Sequence, residues 1–350
     1  MKIITCASYY GSGSSALSDL VAEYDSVKDL SEFEFRFLHD IDGVSDLEYH
    51  LCECHNRHNS GHALKRFMRL AKYNEGNRLN RRYNAFFNDQ FSTLTNEYIK
   101  ELIDFQFTGW WFYDLFDYGI DHYYRMQFLN KILRKISGGK AGVLKNEQTY
   151  CSHPSSEKFL EVTQTYLERL LHAANMEKLP FLQVDQLVPS QNTGRVLRYF
   201  RDPIEVFVVD RDPRDIYVLE KCYWKGHICP TDSVEKYCKW FLYTRKSGTE
   251  DISQLSNVHF IQFEDFIFNY NSVKSKIEHI IGLSPCDLTK EFTKLNPKKS
   301  INNTCVWRNH PELEEDIKII EKELTGYLYQ FEKYTDIDVP GIEVNSVKPF

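Results

Sequence analysis

No stretch of this chain supplies the roughly 18 consecutive apolar residues that a membrane-crossing helix needs. Its first residues, Met1-Lys2 and a short β-like run ended by glycine, lack the apolar core and small-residue cleavage site of a secretory leader, so a cytoplasmic protein without a membrane span is expected. Positive charge is in deficit: 43 Lys and Arg face 50 Asp and Glu, a formal net charge of −7. That balance argues against a nucleic-acid partner and leaves any anionic ligand to a local basic patch. The nine cysteines are scattered and odd in number, which reads as reduced thiols and not as a disulfide framework. Cys52, Cys54, His55 and His58 in CECHNRH stand too close together for a common structural zinc site, and no second Cys/His pair of matching spacing follows. No metal is therefore expected. Internal repeats and low-complexity tracts are also missing.

Aromatic residues are plentiful instead, with 24 Phe, 22 Tyr and 5 Trp among 350 residues, 42% of them hydrophobic and 27% charged. This is a globular composition, long enough for two domains or for one α/β domain with a large insertion. Residues 2 to 8 form a β-rich run stopped by Gly11, as a buried parallel strand does, and Ala16, Leu17, Leu20 and Val21 then recur at helical spacing. FEFRFLHD, residues 33 to 40, reads as the next strand, completing a βαβ unit. Beyond residue 45, GHALKRFMRLAKY, NEYIKELIDFQF, GIDHYYRMQFLNKILRKI and SSEKFLEVTQTYLERLLHAAN carry helical apolar spacing. The last opens on Ser155 and Ser156 with Glu157 behind them, an N-cap with an acidic first turn. Strand-like runs return at 181 to 188, 204 to 212 and 258 to 266, with helices at Val234 to Arg245 and Val273 to Ile281. The expected fold is α/β, a P-loop-type parallel sheet flanked by helices and built from residues 1–44 and 181–350, with a helical insertion at 45–180. The tract FQFTGWWFYDLFDYGIDHYYRMQF reads as the core of that insertion, a minority of its rings being free to line an acceptor cleft.

The junction YYGSGSSAL runs a strand through glycines into a helix. Such a turn gathers main-chain N–H groups and the positive end of the helix dipole around one point, which suits a phosphate-like anion. Gly11 and Gly13 permit the necessary torsions, and Ser12, Ser14 and Ser15 add hydroxyl donors. The Lys of a complete nucleoside-triphosphate loop, Gly-Lys-Ser/Thr, is absent: Gly13 is followed by Ser14-Ser15. A second anchor, VVDRDPRD, places Arg211 and Arg214 at a strand's C-terminal end, where parallel sheets bind ligands. Each guanidinium suits a phosphate; Asp212 and Asp215 would orient the forks and cap the helix begun by Pro213. A self-contained Arg/Asp salt-bridge network is the alternative.

Together these anchors resemble the sulfotransferase family that uses 3′-phosphoadenosine 5′-phosphosulfate, and the chain reads as a divergent, bacterial-type member. SGSSAL corresponds to the family's loop around the 5′-phosphosulfate, and RDPRD to its Arg-Asp/Asn-Pro-Arg/Lys-Asp motif at the 3′-phosphate. VHFIQFEDFIFN is similar to the family's strand ending in Glu-Asp, ahead of a helix and a Gly-Leu turn, here Gly282-Leu283. SINNTCVWRNHPELEEDIKIIEKELTGYL resembles the C-terminal segment that closes over the nucleotide with a basic residue. The resemblance covers residues 1 to 40 and 181 to 330. It implies nucleotide binding by Gly11, Ser12, Gly13, Ser14, Ser15, Arg211, Arg214 and Arg308, no metal, and a small-molecule or glycan acceptor.

Three positions depart from the family. Gly11 stands where a basic residue usually precedes Ser-Gly, Leu219 where a serine follows the first motif arginine by eight positions, and Asp185-Gln186 where the catalytic histidine is expected. Asp185 is then the candidate base, if burial raises its pKa. His62 and Lys65, in a block that also holds Arg66, Arg69, Lys72, Arg78, Arg81 and Arg82, are the reserve base and sulfuryl contact; that block is either a solvated face or a surface for an anion. Lys298 and Lys299 are further cations for the sulfuryl group. Two other readings stay open: an ATP-dependent small-molecule kinase holding Mg²⁺ through Ser15 and Asp210, and a nucleotide-binding module without catalysis.

Overall fold

The computed structural model describes residues 1–77, 79–109, 118–143, 147–246 and 252–331. In chain order its strands are β1 (Lys2–Cys6), β2 (Val27–Glu34), β3 (Phe105–Gly109), β4 (Glu147–Cys151), β5 (Phe181–Asp185), β6 (Ile204–Asp210) and β7 (Val258–Gln262). Two compact units result: Met1–Arg36 joined by the chain from Glu177 on, and Phe37–Met176.

The first unit is α/β. Its sheet is parallel throughout, in the order β2-β5-β1-β6-β7. Ile3 to Cys6, Leu182 to Val184 and Val206 to Val209 are buried without alternation, as strands covered on both faces must be. Leu17, Leu20 and Val21 of the helix Ser15–Val21 pack with Ile4, Cys6, Phe207 and Val209, and with Val273 and Ile277 of the helix Tyr270–Ile281. A separate cluster joins Ile216 and Tyr217 of the helix Pro213–Val218 to Tyr237 and Phe241 of Val234–Arg245 and to Ile317 and Ile320 of Glu314–Glu323.

From β1 the chain moves to β2, beyond β5; from β6 it moves the opposite way, to β7. β1 and β6 are therefore neighbours whose connections diverge, and open parallel sheets hold ligands in the crevice beyond the C-terminal ends of such a pair. The pair is in tight register there, Cys6 opposite Phe207, with the Ala7 N–H on the Phe207 carbonyl at 2.8 Å and the Val209 N–H on Ser8 Oγ at 2.9 Å.

Three expectations are corrected. The second strand is Val27–Glu34 and not residues 33 to 40. As an edge strand it is half exposed and rich in Lys28, Asp29, Ser31, Glu32 and Glu34, so it shows no apolar run, whereas the buried Phe35, Phe37 and Leu38 lie beyond its end. The second unit is not wholly helical: the helix Phe91–Leu102 stops short of β3, which pairs antiparallel with β4, Phe105 opposite Cys151.

Nor is the described part of the aromatic tract its core, for Phe105, Tyr124 and Phe128 are exposed, and residues 110–117 lie outside the description. The core is made by other rings, Phe37 at 4.9 Å from Phe67 and 5.3 Å from Phe91, and Tyr98 stacked on Tyr166 at 4.6 Å. The buried hydroxyls there are paired, Tyr166 with Thr95 at 2.8 Å and Tyr98 with Thr163 at 3.0 Å, as burial demands. The helix Ser156–Ala174 is capped as expected, Ser155 Oγ accepting the Lys158 N–H at 3.2 Å.

In the first unit a buried carboxylate fastens the segment after the last helix of the sheet layer. Glu23 accepts main-chain N–H groups from Phe292 at 3.1 Å, Lys294 at 2.8 Å and Leu295 at 3.1 Å. Glu23→Ala removes the acceptor from all three and strands the buried Leu295 donor, so urea titration should register a loss of about 1 to 3 kcal/mol; Glu23→Gln, which keeps an acceptor, should lose less.

Candidate functional site

Beyond β1 the chain turns through Gly11 and Gly13, whose φ angles of 72° and 78° lie in the left-handed region that side chains disfavour. Space forbids a side chain as well. A Cβ on Gly13 would lie 2.4 Å from the Phe263 ring, and one on Gly11 would lie 3.0 Å from the Trp224 ring. Tyr10, just before, donates its hydroxyl to the buried Glu220 at 2.8 Å. Ser12 serves the loop itself, its Oγ donating to the Tyr9 carbonyl at 2.9 Å. The N–H groups of Gly13, Ser14 and Ser15 have no partner among the described residues; they are the open donors with which a helix begins.

Arg211, beyond β6, reaches this loop. Its side chain is buried; Nη1 donates to the Gly11 carbonyl at 3.4 Å, Nη2 donates to the Asn303 carbonyl, and the guanidinium lies 4.5 Å over the Phe263 ring. Nε has no partner. Burial pulls the Arg211 pKa down, and the charges of Asp215, Glu264 and Asp212 oppose it. Gly13, Ser15, Arg211, Phe263, Lys299 and Asn303 line one cleft of about 380 Å³. The two anchors, two hundred residues apart in sequence, share that cleft.

The other nominated side chains are not among those that line this cleft. Arg214 is spent on a network: Nε and Nη2 donate to Asp212 at 2.9 and 2.7 Å, Nη1 donates to Glu321 at 2.7 Å, and the Trp307 ring lies 4.3 Å below. Arg308, exposed, sits 5.2 Å over the same Trp307. Asp215 accepts the Cys305 and Val306 N–H groups at 2.9 and 2.7 Å, and Asp212 accepts that of Tyr329 at 3.0 Å, so buried acids bind the C-terminal segment to the helix after β6. Asp210 is clamped by Arg245, at 2.9 Å from Nε and 2.5 Å from Nη2.

Asp185 ends β5 and accepts the Ser18 hydroxyl at 2.8 Å. Burial pushes its pKa up to about 7, Ser18 works against that, and the nearby Asp29, Glu34 and Asp19 add to it. His62 and Lys65 belong to the helix Asn59–Glu75 of the second unit, where Lys65 Nζ pairs with Glu147 at 2.8 Å. Much of the basic block is likewise turned to its own unit: Arg66 forks onto Asp42 at 2.6 and 3.0 Å, Lys72 meets Glu75 at 2.8 Å, and Arg81 pairs with Asp89, while Arg78 lies outside the described residues. His55 stacks on His153 at 3.6 Å, and among the described residues no group of three or more His, Cys, Asp or Glu is arranged to hold a metal.

Sequence reasoning missed Phe263, Asn303, Glu23 and Arg245. Phe263 directly precedes the Glu264-Asp265 pair that drew notice, and Glu264 accepts the Asp212 N–H at 2.9 Å; that proximity was the one available signal. The other three act across long sequence separations that no local pattern records.

No family model matches the chain, and no curated protein matches it. Among solved structures it is similar to a crystal structure of retinol dehydratase in complex with androsterone and the inactive cofactor PAP, at 14% identity over 97% of this chain and 82% of that one, with a TM-score of 0.36. So slight a likeness carries no residue or activity across.

Two outcomes follow from the geometry. Gly13→Ala should lose roughly 1–2 kcal/mol of stability from its backbone alone, and more as the Phe263 ring is displaced; thermal unfolding measures it. For Asp185, the folded chain keeps a proton that the unfolded chain has released between pH 3.8, the ordinary value, and about 7. Its contribution to stability therefore falls as pH rises through that window and levels off above it. The difference in unfolding free energy between the wild type and Asp185→Asn should show that slope.

Proposed function

We propose that the chain is a sulfotransferase that carries the sulfuryl group of 3′-phosphoadenosine 5′-phosphosulfate to a hydroxyl or amine of a small-molecule or carbohydrate acceptor. One observation carries this reading: the glycine turn after β1 and Arg211 after β6 line a single cleft at the divergence of the parallel sheet. Open N–H donors at Gly13 to Ser15 and the unpartnered Nε of Arg211 suit a ligand with phosphate groups at two ends, and the motifs at both places resemble those of the family.

In this reading the main-chain donors of the loop hold the 5′ group, Arg211 holds the 3′-phosphate, and Lys299 at the cleft wall adds positive charge. Sulfuryl transfer is an in-line displacement, so these groups must fix the donor and neutralise the leaving phosphate. Asp185 takes the acceptor's proton; with a pKa near 7 it is matched to that task at neutral pH. We assign acceptor recognition to the second unit, with His62 as reserve base. Arg214 and Arg308 both pack on Trp307 of the C-terminal segment.

A Mg²⁺-dependent kinase has less support, because Asp210, the acid it would use, is held in two bonds by Arg245. Calorimetry with adenosine 3′,5′-bisphosphate decides. Binding should be independent of Mg²⁺, and Arg211→Ala should weaken it by about 2 to 4 kcal/mol, the loss of a buried charged bond. Turnover should rise with pH through 7 in the wild type and be abolished in Asp185→Asn. ATP binding that requires Mg²⁺, without bisphosphate binding, would refute the assignment; bisphosphate binding without turnover on any acceptor would leave only a nucleotide-binding module.

A further inference from the structure

The helix Ile120–Ile136 of the second unit has no buried side chain, yet its last three turns carry a regular apolar stripe. Met126, Phe128, Leu129, Ile132, Leu133 and Ile136 fall along one side of a helix with 3.6 residues per turn. The stripe lies open: Phe128 is 65% exposed, Leu129 46% and Ile136 78%. The opposite side carries Gln127, Asn130, Lys131, Arg134 and Lys135, and from His122 to Asn146 the sequence contains neither Asp nor Glu. Arg125, Lys131, Arg134 and Lys135 have no acidic partner among the described residues. In a chain of net charge −7 this helix is a cationic island with an uncovered apolar side.

A helix with Lys and Arg on one face and Phe, Leu and Ile on the other lies flat at a bilayer surface, its apolar stripe among the acyl chains and its cations among the headgroups. The negative potential of anionic lipid attracts each cation. No helix among the described residues is long and apolar enough to cross a membrane, so the contact is surface docking. A second copy of the chain is the weaker occupant, because seating stripe on stripe brings two rows of cations together with no acid on either helix to separate them after Asp121. We propose that this helix docks the protein onto bilayers containing anionic phospholipid.

The test is co-sedimentation of the full chain with phosphatidylcholine vesicles, with and without phosphatidylglycerol. Binding should require phosphatidylglycerol and be released by salt. The double variants Phe128→Asp/Ile132→Asp and Lys131→Glu/Arg134→Glu should each weaken it at least roughly tenfold and leave the thermal unfolding midpoint nearly in place, since all four side chains lie at the surface. Absence of binding to the anionic vesicles, or binding unchanged in both variants, overturns the proposal. So does light scattering that finds a dimer in the wild type and a monomer in Phe128→Asp/Ile132→Asp, with no vesicle binding in either; the second copy is then the occupant.

Discussion

Arg211 is a cation with 1% of its surface exposed. Taking such a charge out of water costs several kcal/mol unless other groups compensate. Here Asp215, Glu264 and Asp212 surround it, the Phe263 ring lies beneath it, and two carbonyls accept from its Nη atoms. The neutralising acids are themselves tied to backbone: Asp215 to Cys305 and Val306, Asp212 to Tyr329, Glu264 to the Asp212 N–H. One buried guanidinium thus organises the glycine turn on one side and the C-terminal segment on the other. The cleft exists because these obligations meet at one place.

That arrangement divides the two motif arginines. Arg211 lines the cleft and keeps a buried Nε without a partner, whereas Arg214 meets acids with all three of its nitrogens. Two arginines three residues apart on a strand-to-helix junction thus serve different ends, one in the wall of the cleft and one as a clamp on Glu321. The loop lysine whose absence stands out in the sequence has a counterpart of sorts in Arg211, which approaches Gly11 from the neighbouring strand.

The central strands and the helices that follow them were legible because burial on both faces leaves unbroken apolar runs, and because Gly11, Gly13 and Pro213 punctuate the chain where the backbone turns. Edge strand β2 was not, since half its residues face water and look like a loop. Amphipathic spacing named the helix Ile120–Ile136 but said nothing about what covers it; periodicity reports that a face is apolar, never that it is buried. At the site, the donors of the turn and Arg211 were visible as local motifs. Glu23 and Arg245 were not, because each meets its partner across a distance in sequence that only the folded chain closes.

β2 and β5 lie side by side and run parallel, Val27 opposite Phe181, so the chain must in any case return the length of the sheet between them, a task usually met by a single crossover helix. The whole of Phe37–Met176 occupies that return. A second compact body is therefore inserted in one crossover, at a position where its size and sequence can be exchanged without breaking any strand pairing of the parallel sheet.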